Sequence, residues 1–172
     1  MSHLLLVGFM GAGKSTVGRL VAEELGLPFV DVDDLVQQQD GRTAREIFEE
    51  AGESTFRALE TSALDSLGTM PPSVVACGGG VVLSDSNRAV LKRLGRVVYL
   101  KVTAAETLAR VGEDSNRPLL DGASGALAAG KLLESREGLY SAVADVVVDT
   151  VDRTPQTVAA QVVALAREWS AR

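Results

Sequence analysis

Cysteine occurs once in these 172 residues, as Cys77, and histidine once, as His3. A lone cysteine excludes an internal disulfide and suits a reducing compartment, so a cytoplasmic location is expected. Cys77 closes the apolar run Val74 to Ala76 and reads as a small buried core residue rather than a nucleophile. With no Cys/His cluster at zinc spacing, a structural metal held by the protein is not expected. No stretch approaches the roughly 18 apolar residues of a membrane span, and no cationic segment precedes the first apolar run, so neither insertion nor export is expected. Basic charge is also short: 17 Lys and Arg stand against 23 Asp and Glu, a formal net charge of −6. That balance argues against a nucleic-acid or anionic-membrane partner, whose non-specific binding needs a basic surface. The chain has no internal repeat, no linker and no Asn-Lys-x-Asp guanine-reading element, which speaks against a GTPase switch.

What is present starts with Gly8-Phe9-Met10-Gly11-Ala12-Gly13-Lys14-Ser15. The spacing G-x-x-x-x-G-K-[ST] follows the apolar run Leu4 to Val7 and precedes the helical pattern Val17, Leu20, Val21 and Leu25. Glycines at these positions let the backbone curl with its N–H groups inward, and the next helix adds its unsatisfied amides and positive dipole end. A polyphosphate fits such a cradle, with Lys14 reaching the terminal phosphates and the Ser15 hydroxyl ligating Mg²⁺.

Length and a hydrophobic content of 46% predict one domain, 1–172, with a substantial core. Five short apolar runs alternate with amphipathic stretches: Leu4 to Val7, Phe29 to Val32, Val74 to Ala76, Val97 to Val102 and Asp145 to Val148. That alternation predicts parallel strands joined by helices, a three-layer α/β/α sandwich. Thr43 with Glu46 and Thr103 with Glu106 read as capping boxes, Thr154-Pro155 as an N-cap followed by an N1 proline, and Gly26 and Gly95 as helix stops. From about Gly112 to Gly130 the periodicity lapses, and a loop of that length in a compact domain is expected to be functional, as a mobile lid.

Ligands of open parallel sheets bind beyond the carboxyl ends of the strands, so residues just after each apolar run have first claim on chemistry. After the second run come Asp31, Val32, Asp33 and Asp34; continued extended backbone would place Asp31 and Asp33 on one side, while Asp34 reads as a helix cap. After the third come Gly78, Gly79 and Gly80, a cluster that suggests close backbone approach to a neighbour. Arg57, between Glu53 and Glu60, and Arg136 read singly as helix-face cations. Phe48 and Phe56 read as core on two helices split by Gly52, His3 as an exposed strand end, and Trp169 as core cover.

Taken together, GFMGAGKST, DVD, EIFEEAGESTFRALE, GGG, RPLL and REGLY, in that order along nearly the whole chain, resemble the shikimate kinase family. The resemblance implies a nucleoside monophosphate kinase-like fold with a five-stranded parallel sheet and transfer of the ATP γ-phosphoryl group to the 3-hydroxyl of shikimate, in aromatic amino-acid biosynthesis. It implies ATP on Gly11, Ala12, Gly13, Lys14, Ser15 and Thr16, with Arg110, Arg153 and Pro155 bordering the adenine, and one Mg²⁺ per subunit served by Ser15 and Asp31. Asp33, Arg57, Gly78, Gly79, Gly80 and Arg136 would hold the acceptor, the two arginines on its carboxylate. Lys14, Asp33 and Arg117 would carry the chemistry, Arg117 on a lid at about 112–124 and the acceptor helices at about 33–61. A monomer is implied. Gly138 departs from a proline frequent in the family and loosens the expectation for Arg136. The alternatives are another small-molecule kinase of this fold, such as a gluconate or nucleoside monophosphate kinase, or a non-catalytic ATP-binding regulator.

Overall fold

The computed structural model describes residues 2–111 and 122–171. Five strands form one all-parallel sheet: β1 (His3–Val7), β2 (Phe29–Asp31), β3 (Val74–Ala76), β4 (Gly95–Lys101) and β5 (Val146–Asp149), in the order β2-β3-β1-β4-β5. The helices are α1 (Lys14–Leu25), α2 (Val32–Asp40), α3 (Ala44–Ser66), α4 (Asp85–Leu94), α5 (Ala104–Val111), α6 (Gly122–Val143) and α7 (Pro155–Ser170). Packing of α1 on α7 and β3, and of α4 on β4, α3 and α6, covers the sheet and completes the expected three-layer sandwich.

Central β1 is buried throughout, as a strand covered on both faces requires, and Leu5, Leu6 and Val7 have no exposure. Every residue of β3 is buried as well, and Cys77 continues that core at 2% exposure. The Thr43 capping box is complete: Thr43 Oγ1 accepts from Glu46 N while the Glu46 carboxylate accepts from Thr43 N. At Thr103 only the first half forms, since Glu106 instead accepts from Arg110 Nη2 at 2.8 Å and from Asp152 N at 3.1 Å. Thr154 caps α7, with Pro155 at its first position. No helix among the described residues is long and apolar enough to cross a membrane.

Several sequence expectations are corrected. β2 stops at Asp31, and Val32 opens α2, because the Asp31 carboxylate accepts from Asp33 N at 3.1 Å and caps the helix there. Asp31 and Asp33 therefore do not share a strand face, and the cap is Asp31 rather than Asp34. His3 is not exposed but 6% accessible, with Nε2 bonded to the Leu67 carbonyl at 2.9 Å. Phe48 is 39% exposed rather than core. The stretch from Gly122 to Gly130 is helical, because its alanines favour helix without the apolar stripe that periodicity detects. Residues 112–121, and Arg117 with them, lie outside the described residues.

Candidate active site

Beyond the carboxyl end of β1 the chain must reverse into α1 within a few residues. Gly13, the N-cap, does so at φ 86° and ψ 18°, a left-handed conformation that a Cβ would oppose. Lys14 opens the helix, and its Nζ donates to the Gly8 and Phe9 carbonyls at 2.9 Å each. The ammonium thus lies over the curled loop where the first amides of α1 also point, an anion-binding arrangement. One residue on, Ser15 Oγ donates to Asp31 Oδ2 at 2.8 Å. The two oxygens come from the ends of different elements and are hard donors suited to Mg²⁺. No cluster of three or more His, Cys, Asp or Glu that would form a protein-only metal cage occurs among the described residues. A Mg²⁺ completed by phosphate oxygens and water fits that donor set better than a structural ion.

From this loop a cavity of about 630 Å³ extends toward α2, α3 and the turn after β3. Lys14, Ser15, Thr16, Asp31, Asp33, Arg57, Gly78, Gly79, Gly80, Arg110 and Arg136 all border it. Residues more than a hundred positions apart in the chain meet there because three strands end side by side.

Gly52 interrupts α3 at φ 82° and ψ 170°, so the chain changes direction and carries Arg57 over the cavity. Arg57 Nη1 donates to Glu60 Oε2 at 2.9 Å and Nη2 to Glu53 Oε1 at 3.3 Å, and the guanidinium lies 5.3 Å from the Phe56 ring centroid. The helix-face pair read from sequence is therefore real, but its inner member is not solvated. Glu60 has no exposure, and burial pushes its carboxyl above the ordinary 4.5, with Arg57 opposing and Asp33 adding to the rise.

Glycines 78 to 80 fit between these side chains. A Cβ on Gly80 would collide with the Arg57 guanidinium, and one on Gly78 would stand 2.8 Å from Glu60 Oε1 and 3.1 Å from Asp33 Oδ1. Across the turn, the Gly79 carbonyl accepts from the Tyr140 hydroxyl and, at 3.5 Å, from Arg136 Nη1. Arg110 borders the far end, donating to Gly11 O at 3.2 Å, Thr150 O at 2.9 Å and Glu106 Oε1 at 2.8 Å. Pro155 opens α7 and Arg153 lies just before its Thr154 cap, and neither lines the cavity; the Arg153 guanidinium donates to Asp149 O at 3.0 Å and Gln161 Oε1 at 2.6 Å.

Sequence reasoning gave no site role to Glu60, read as a helix-face ion-pair partner, to Phe48, read as core, or to Tyr140, Arg45 and Leu132. Glu60 was legible in one respect: it follows Phe56 by four residues and precedes Ala63 and Leu64 by three and four, on the stripe of α3 that is buried. Arg45, Phe48 and Leu132 line the cavity without any local signal.

The family model described as shikimate kinase matches residues 10–167. The chain belongs to the shikimate kinase family. Its members are kinases that act on an alcohol acceptor, and P-loop nucleotide binding accords with the geometry above. A relative from Pseudomonas paraeruginosa (strain DSM 24068 / PA7), named shikimate kinase, is 42% identical over 172 residues, with all of both chains covered. One from Pseudomonas entomophila (strain L48) with the same name is 44% identical over 158 residues, 92% of each chain. Among solved structures, shikimate kinase from Acinetobacter baumannii in complex with shikimate superposes with a TM-score of 0.91 at 38% identity, covering 98% of this chain and 94% of that one. A gluconokinase from Sinorhizobium meliloti 1021 reaches a TM-score of 0.62 at 23% identity, a likeness of fold alone.

Proposed function

We propose that this protein transfers the γ-phosphoryl group of ATP to the 3-hydroxyl of shikimate, giving shikimate 3-phosphate and ADP. The observation that carries the reading is the meeting of Arg57, Arg136 and Asp33 on one cavity whose floor continues into the phosphate loop. Two guanidinium groups and a carboxylate around a small space suit a polyhydroxylated carboxylic acid, since planar forks engage a carboxylate bidentately while the carboxylate accepts from hydroxyls. The shikimate bound in the Acinetobacter baumannii relative supports the same acceptor.

In this reading the loop amides and Lys14 hold the β- and γ-phosphates, and Arg110 borders the nucleotide side. Ser15 and Asp31 would hold Mg²⁺, which when bound would supply positive charge to neutralise the phosphate oxygens. Asp33 accepts the 3-hydroxyl and sets its oxygen in line. A P–O bond forms to that oxygen as the bond to the ADP oxygen breaks, the hydroxyl proton leaving toward Asp33. Because phosphoryl transfer is loose, positioning and charge stabilisation matter more than base strength. We assign 112–124 the role of lid, with Arg117 approaching the transferring group on closure and water kept out. The reading includes one domain over 1–172, a monomer, a cytoplasmic location, which the lone buried thiol suits, and no nucleic-acid or membrane partner, as the acidic balance supports.

Purified protein with ATP, Mg²⁺ and shikimate is expected to release ADP, while gluconate and nucleoside monophosphates give no comparable rate. An equal rate on gluconate defeats the acceptor assignment and leaves the kinase class intact. Arg57→Ala is expected to raise the shikimate KM and Arg117→Ala to lower kcat; the opposite division reverses the two roles.

A further inference from the structure

Tyr140 is the last residue of the REGLY segment and lies one helical turn after Arg136 on α6. It has no solvent exposure, its ring stacks on Tyr99 with centroids 5.0 Å apart, and its hydroxyl donates to the Gly79 carbonyl. Gly79 is the middle of the acceptor turn and also abuts the phosphate loop: a Cβ placed on it would stand 3.7 Å from both Gly8 O and Met10 N. Its two neighbours carry the close approaches of Arg57, Glu60 and Asp33. One carbonyl therefore sits at the junction of the acceptor pocket and the phosphate cradle, and two donors of the same helix converge on it. The phenol makes the short bond and Arg136 Nη1 a long one at 3.5 Å, and Arg136 Nε, buried, has no partner among the described residues.

We infer that the Tyr140 hydroxyl is a positioning group for the acceptor: by satisfying the Gly79 carbonyl it fixes the Gly78–Gly80 turn and leaves the Arg136 guanidinium to the acceptor's carboxylate. This deepens the proposed function and rests on it. Without the phenolic donor the carbonyl keeps only the long contact of Arg136 Nη1, and the guanidinium is the nearest group able to close onto it. A guanidinium drawn onto a backbone oxygen is withdrawn from the ligand it would otherwise fork. Burial holds the phenol protonated, with its pKa pushed up to about 12, so the donor persists across the working pH range.

Tyr140→Phe deletes the hydroxyl and keeps the stacked ring. With shikimate and ATP varied in turn, the shikimate KM is expected to rise about five- to twenty-fold, while kcat and the ATP KM stay within about two-fold. In an Arg136→Gln background the same substitution is expected to change the shikimate KM by less than about two-fold, because the guanidinium it would draw onto the carbonyl is gone. Tyr99→Phe, which removes the hydroxyl from the other ring of the stack, is expected to leave the shikimate KM unchanged. An unaltered KM in Tyr140→Phe, an equal effect with and without Arg136, an equal effect from Tyr99→Phe, or loss of a cooperative melt in Tyr140→Phe overturns the inference. A wild-type protein inert toward shikimate is a different result: it removes the proposed function, and this inference falls with it.

Discussion

Arg57 Nη1 donates at 2.9 Å to a Glu60 carboxylate that has no solvent exposure, so the cation facing the cavity is anchored from beneath by a buried anion. That carboxyl titrates above its ordinary 4.5, chiefly through burial. A raised folded value means that the folded state holds the proton more tightly than the unfolded chain. The associated stability is complete below about 4.5 and is lost as pH rises through the folded value. Glu60→Gln cannot titrate, so the difference in melting temperature is expected to move in the variant's favour as pH climbs from 4.5. A pH series of thermal melts checks this, and a constant difference is the contrary outcome. The same variant loosens Arg57 and is expected to raise the shikimate KM several-fold.

Gly80→Ala places a methyl group where the Arg57 guanidinium lies. The side chain is the movable partner, so the protein is expected to fold with Arg57 displaced and the shikimate KM raised by about ten-fold or more, the scale of one charge-assisted hydrogen bond. Steady-state kinetics with a melting control decides it; a wild-type KM means that Arg57 does not need this position.

Gly138 lies in α6, exposed, with nothing within 4 Å of an added Cβ. Alanine there lowers the entropy cost of helix formation without a clash. Gly138→Ala is expected to stabilise the fold by about 0.5–1 kcal/mol, seen as a melting temperature higher by about 1–4 °C. A lower value would show that the glycine relieves a strain.

Cys77 borders the cavity yet is 2% exposed, and burial pushes its thiol well above the usual range. The thiolate is the reactive form, so iodoacetamide at pH 8 is expected to leave the native protein unmodified and to label it fully in denaturant. Rapid labelling of the native chain, read by mass spectrometry, would place the sulfur in a more open setting.

The phosphate loop was legible because its chemistry is local: the spacing of Gly8, Gly11 and Gly13 before Lys14 and Ser15 dictates a curled backbone wherever it stands between a strand and a helix. Arg57 and Arg136 were ambiguous because either one alone is indistinguishable from a surface cation on a helix; their common cavity exists only once β1 and β3 end side by side. The DVD segment misled for a different reason. Alternation assumes continued extension, whereas the Asp31 side chain offers the Asp33 amide a cap and the helix starts at once.

The sequence by itself determined the alternation of strand and helix, the phosphate cradle and the resemblance carried by its ordered motifs, since each depends on residues close together in the chain. Only the tertiary structure decided that Glu60 is a buried anchor, that His3 is enclosed and Phe48 exposed, and that Tyr140 and Arg136 share one carbonyl. Burial and partnership depend on what other elements bring to the same place, and desolvation turns a helix-face glutamate into a perturbed acid only after α3 has packed.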